Sequence, residues 1–171
     1  MDYNIIYFTV LMKHIKPMAI EDALVKVCTL NDFYSTNIFQ PFVVAKHIVK
    51  LNIDSRLHKS DPTLVTDIAN IVMGNGNKKY LYSFATKYCS HHKPLDYLIF
   101  DNYVEKILIH FRKQYGFMDF TKDDIKNYPK FKKIITDFQS YFGLENFSIK
   151  DIDRCLWQAG KEYFIKKTNI E

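Results

Sequence analysis

Apolar residues recur at intervals of three and four from Ile20 to Tyr163, and this helical period limits most what the chain can become. After Pro17, residues 18–30 place Ile20, Leu24, Val27 and Cys28 on one face, which predicts a first amphipathic helix. Asn31 to Asn37 holds many side chains that compete for backbone hydrogen bonds, so the helix is expected to stop there. A second begins at Pro41, with Val43, Val44, His47, Ile48 and Leu51 inward. Asp61-Pro62 reads as an N-cap followed by proline at the first helical position. Leu64, Val65, Ile68, Ala69 and Val72 form that helix's inner stripe, and Gly74-Asn75-Gly76-Asn77 ends it.

Lys78 to His92 predicts a further helix with Leu81, Phe84, Ala85, Tyr88 and Cys89 inward, and Pro94 forces extended chain through Phe100. Asp101 then caps a helix from Asn102 to Tyr115 whose stripe is Val104, Ile107, Leu108 and Phe111. A weaker helix starts at Thr121, is interrupted at Pro129 and runs on to Gly143. A strong one follows from Ser148, where Ser148 and Asp151 have capping-box spacing and Ile149, Ile152, Leu156, Ala159 and Tyr163 share a face. The run Ile5 to Met12 is too short to cross a bilayer and follows Asp2 rather than the basic residues of a signal peptide, so it reads as a buried strand or helix start. Seven or so helices without strand alternation, repeats or linkers predict an all-α fold, one compact multi-helix domain over residues 1–171.

A chain that is 47% hydrophobic with 14 Phe and 12 Tyr is too apolar to stay disordered, so these aromatics are expected to form the core. The net charge of +5 permits an acidic partner, but 21 of the 24 basic residues are Lys, leaving only Arg56, Arg112 and Arg154 for bidentate phosphate or base contacts. Cys28, Cys89 and Cys155 are odd in number, far apart and without C-x-x-C spacing, so neither a disulfide framework nor a cysteine metal site is suggested, which fits a reducing cytoplasm. Cys89, His91 and His92 are close in sequence, yet adjacent helical histidines point about 100° apart, so no metal or other cofactor is expected. There is no G-x-S-x-G elbow, G-x-x-x-x-G-K-[ST] loop or H-E-x-x-H helix, and the hydrolase, nucleotide and zincin classes lose their best supports.

The stretch with most chemical content runs from Ser83-Phe84-Ala85-Thr86-Lys87-Tyr88-Cys89 through Pro94 to Ile99-Phe100-Asp101-Asn102-Tyr103-Val104. A helical lysine, a proline-containing extended turn and an aspartate heading the next helix resemble the helix–hairpin–helix DNA glycosylases, especially bacterial proteins of the 8-oxoguanine type. The resemblance covers residues 61–111, its hairpin-like region. It implies that Lys87 attacks the sugar C1′ of a damaged nucleotide and forms a Schiff base, and that Asp101 stabilises the positive sugar or assists proton transfer. The family's glycine hairpin has its nearest counterpart at Gly74 and Gly76, followed by Lys78 and Lys79; pairing the glycines with Lys78 is the alternative to Lys87 as the amine. With Ser83, these residues would meet the DNA backbone. Tyr34 or Trp157 would face a base taken out of the stack.

Each of these residues also has a plainer reading. Asp101 serves as an N-cap, Lys87 as a solvated helix lysine, and Gly74 to Asn77 as a helix-ending turn. Lys122, Lys126, Lys130, Lys132 and Lys133, interleaved with Tyr128 and Phe131, read first as a solvated face and second as a DNA-backbone contact. The expectation is a base-excision repair protein that removes an oxidised purine, with DNA as partner and no membrane. The alternative is a non-catalytic helical module that binds DNA or another protein.

Overall fold

The computed structural model describes residues 19–168, and for Ile5 to Met12 the expectation of a buried strand or helix start lies outside them. The described residues are mostly helical, as the period predicts, and the chain divides at Pro94–Leu95 into two compact units.

The first unit contains α1 (Ile20–Tyr34), α2 (Pro41–Lys50), α3 (Asp54–His58), α4 (Thr63–Ala69), β1 (Asn70–Val72), β2 (Lys78–Tyr80) and α5 (Tyr82–His92). Helix α1 packs on α2 and on α5, and α4 packs on α5. Val27, Leu30, Val44, Ile48, Leu64, Ile68 and Tyr88 are completely buried between them. Each such side chain stabilises the unit by about 1.5–3 kcal/mol relative to exposure.

Three expectations need correction in this unit. Helix α1 does not stop at Leu30 but runs on to Tyr34. The reason is that Asn31 does not compete within the helix: its Oδ1 accepts from Thr36 Oγ1 and Ile38 N at 2.9 and 2.8 Å, and its Nδ2 donates to Ile38 O. The buried face of α1 is Ala23, Lys26, Val27 and Leu30, while Cys28 is exposed. Finally, Gly74 to Asn77 does not end a helix, and Lys78 does not start one.

Helix α4 ends at Ala69, and β1 and β2 form an antiparallel ribbon in which Asn70 faces Tyr80, Ile71 faces Lys79 and Val72 faces Lys78. Gly76 N donates to Met73 O at 2.9 Å and Met73 N to Asn77 O at 2.8 Å. Gly76 sits at φ +80°, a left-handed conformation that glycine adopts without strain, so Gly74-Asn75-Gly76 forms a three-residue hairpin loop that the left-handed glycine closes. The turn leaves Val72 57% exposed instead of inside.

The second unit contains α6 (Asn102–Tyr115), α7 (Lys122–Ile125), α8 (Tyr128–Tyr141) and α9 (Ile149–Thr168). Helix starts follow the capping chemistry closely. Thr121 and Asp124 form a full capping box, and Ser148 and Asp151 exchange bonds from Ser148 N to Asp151 Oδ2 and from Asp151 N to Ser148 Oγ, both at 3.2 Å. The break expected near Pro129 is there: α7 ends at Ile125 and α8 begins at Tyr128, with Pro129 in its first turn behind an Asn127 cap. Helices α6 and α9 meet where Gly160 faces Tyr103, so closely that an added Cβ would lie 2.5 Å from the Tyr103 carbonyl oxygen.

Candidate amine centre and its neighbours

Lys87 is not a solvated helix lysine. It is 6% exposed on the side of α5 that faces α1. Its Nζ donates to Ser83 Oγ and, at 3.4 Å, to Ser83 O, and it lies 5.2 Å from the centre of the Tyr34 ring. Tyr34 is the last residue of α1, so the extension of that helix brings the ring to the amine. The Tyr34 hydroxyl is hydrogen-bonded to His91 Nε2 at 2.7 Å. The structure therefore gathers Lys87, Ser83 and Tyr34 of the expected site residues.

A second buried amine lies on the same pair of helices. Lys26, 1% exposed, donates to His92 Nε2 at 3.4 Å. Burial pulls the Lys26 pKa down, against the opposing charges of Asp22 and Asp54. Burial also brings His92 down to about 3, helped by the Lys26 charge and by His91. His92 is thus neutral at pH 7, which leaves Nε2 free to accept from the Lys26 ammonium. Sequence reasoning missed Lys26, although positions 23, 26, 27 and 30 have helical core spacing. A lysine there was the available signal.

The glycine turn holds its amides for internal use. Gly74 N donates to Gln40 Oε1 at 2.9 Å, Gly76 N to Met73 O, and Asn77 N to Asn75 Oδ1 at 3.1 Å. Lys78 and Lys79 follow on a strand whose residues are all exposed. Cys89 is fully buried, and burial pushes its thiol well above the usual range. Among the described residues, no group of three His, Cys, Asp or Glu side chains is placed to hold a metal.

Asp101 belongs to the second unit, where it caps α6 as expected. Its Oδ1 accepts from Tyr103 N at 2.8 Å and Val104 N at 3.1 Å, and its Oδ2 accepts from Trp157 Nε1 at 3.1 Å. Trp157 is 39% exposed, with Lys161 Nζ 4.8 Å from its ring centre. Beside this cap lies a carboxylate that the sequence reading passed over. Asp153 is 5% exposed, accepts from Ile99 N at 3.2 Å and pairs with Lys150 at 2.8 Å. Burial raises its pKa, Lys150 and the Ile99 amide oppose the rise, and the Asp101 charge adds to it. The lysine-rich segment is largely satisfied in place: Lys130 pairs with Asp124, Lys133 with Asp137, and Lys122 with Glu105.

No helix among the described residues is long and apolar enough to cross a membrane. Residues 6–96 match the model of the family HI_0787_N, described as an N-terminal domain, and the match ends beside the Pro94–Leu95 junction. A Haemophilus influenzae protein, described as uncharacterized, is 45% identical over 151 residues, covering 88% of this chain and 72% of its own length. No solved structure matches the chain.

Proposed function

The chain belongs to the HI_0787_N family, and we propose, on its own residues, that this family member is a base-excision repair protein resembling the helix–hairpin–helix DNA glycosylases, with Lys87 as its reacting amine. The observation that carries the reading is the burial of Lys87 beside Ser83 and the Tyr34 ring. A lysine side chain is mostly kept in water unless something holds it, and a desolvated amine loses its proton more readily than a solvated one. Once deprotonated, the amine attacks C1′ of an oxidised purine nucleotide. The C1′–N bond breaks, the base leaves with the electron pair and takes up a proton, and the opened sugar forms a Schiff base with Nζ. The protein acts in the cytoplasm, where its three cysteines persist as thiols.

A second reading has its own observation. Both Asp101 oxygens are engaged by the α6 cap and Trp157, and the amides of Gly74, Gly76 and Asn77 donate within the unit. A helical module that binds DNA or another protein without chemistry needs neither group free. One experiment separates the two. The protein is incubated with duplex DNA carrying an oxidised guanine or an abasic site, and borohydride is added. A covalent adduct in the wild type that is lost in Lys87→Gln is the expected result. Salt-sensitive DNA binding without any adduct selects the module instead.

A further inference from the structure

Two segments of the first unit, residues 33–53 and 68–94, contain six lysines and not one Asp or Glu. The wider charge balance follows them: residues 1–94 hold eleven basic and seven acidic residues, while residues 95–171 hold thirteen and twelve. Of the six, Lys46, Lys50, Lys78 and Lys79 are exposed, and among the described residues none of these four lies within ion-pair distance of a carboxylate. This separates them from the lysines of α8, which are paired or donate to backbone.

The two segments lie side by side. Gln40 at the start of α2 binds Gly74 in the ribbon turn, and His47 Nε2 is 2.8 Å from Asp67 O near the end of α4. Exposed rings and apolar groups lie among the lysines. Phe39 is 82% exposed at the end of the loop that Asn31 holds, and Lys46 stands 4.8 Å from the centre of the half-exposed Phe42 ring. On the ribbon, Val72 pairs with Lys78, and the next exposed residue on that face, Tyr80, stacks on Tyr82 at 5.5 Å. Unpaired cations spaced between exposed rings suit a polyanion with flat, stackable units.

We propose that this face, formed by the Phe39 loop, the outer row of α2 and the β1–β2 ribbon, binds a DNA strand with unpaired bases. Lys46, Lys50 and Lys78 take the phosphates, and a base stacks on Phe39, while Lys79, paired with the buried Ile71, lies on the other face of the ribbon. The proposal rests on the repair reading only for the identity of the partner, because it requires no reaction at Lys87.

The test is fluorescence anisotropy with a labelled, lesion-free single strand of about 20 nucleotides, longer than one such site usually occupies. Three phosphate contacts predict that log K falls with log salt at a slope of about −2, and Lys46→Gln with Lys78→Gln should reduce that slope by about two-thirds. Phe39→Ala, a change at a solvent-exposed ring, should weaken binding about tenfold and leave the slope alone. Equal affinity and slope in wild type and the lysine variants would overturn the proposal. So would binding to phosphatidylserine vesicles with none to the strand, which would assign the face to membranes. Strand binding by wild type that never traps with borohydride removes the repair reading and keeps the surface; trapping that the lysine and Phe39 changes leave untouched does the reverse.

Discussion

Lys26 occupies a position in α1 that helical spacing reserves for an apolar residue. Its buried ammonium is held through a neutral histidine rather than a carboxylate. Such an arrangement links stability to pH. The folded-state pKa of His92, about 3, lies below the unfolded value near 6.5. Below pH 6.5 the unfolded chain therefore binds a proton that the folded chain refuses, and stability falls as pH drops toward 3. The lowered pKa of Lys26 acts in the same direction, from its unfolded value downward. Thermal melts should show wild type losing stability between about pH 6.5 and 4.5, on the order of 1–2 kcal/mol, with a clearly flatter profile in His92→Gln. Parallel profiles would mean that His92 is solvated in the folded protein. Only part of this was legible in the sequence: a lysine at a core position of α1 could be seen, but His92 looks like half of an adjacent pair and nothing marks it as the neutral acceptor.

At the scale of elements, side chains that act on the backbone next to them were the easiest to read. Asp101, Asp61 and the Ser148–Asp151 pair each identify a helix start to within two residues. Asp101 also shows how one residue can suit two readings, since a capping aspartate and a catalytic one occupy the same helix position. Asp101→Ala should cost about 1–2 kcal/mol in chemical denaturation by loss of the cap, whereas Asp101→Asn should retain most of that stability. If borohydride trapping survives Asp101→Asn at the wild-type rate, the carboxylate does no more than hold α6. The β1–β2 ribbon escaped notice because strands of three residues are too short to establish an alternating pattern. The Gly74-Asn75-Gly76 run was its one local signal, and it reads equally as a helix stop.

For the molecule as a whole, helical content could be read from periodicity, but the division at Pro94–Leu95 could not. Pro94 was visible only as the start of an extended stretch. Each unit nevertheless has its own core: Val27, Ile48, Leu64 and Tyr88 in one, Leu108, Ile125, Phe131 and Ile135 in the other. Residues 1–94 are long enough to fold alone and nearly coincide with the family match. Produced separately, they should keep a helical circular-dichroism spectrum and a cooperative melt; a broad, non-cooperative melt would mean that this core is incomplete without the rest of the chain. The ribbon has a further consequence. Among the described residues no third strand pairs with it, so its outer backbone groups could template a strand from another copy. Lys78 and Lys79 place like charges at that open edge, so Lys78, proposed to attract a polyanion, also helps keep neighbouring copies from adding to the sheet.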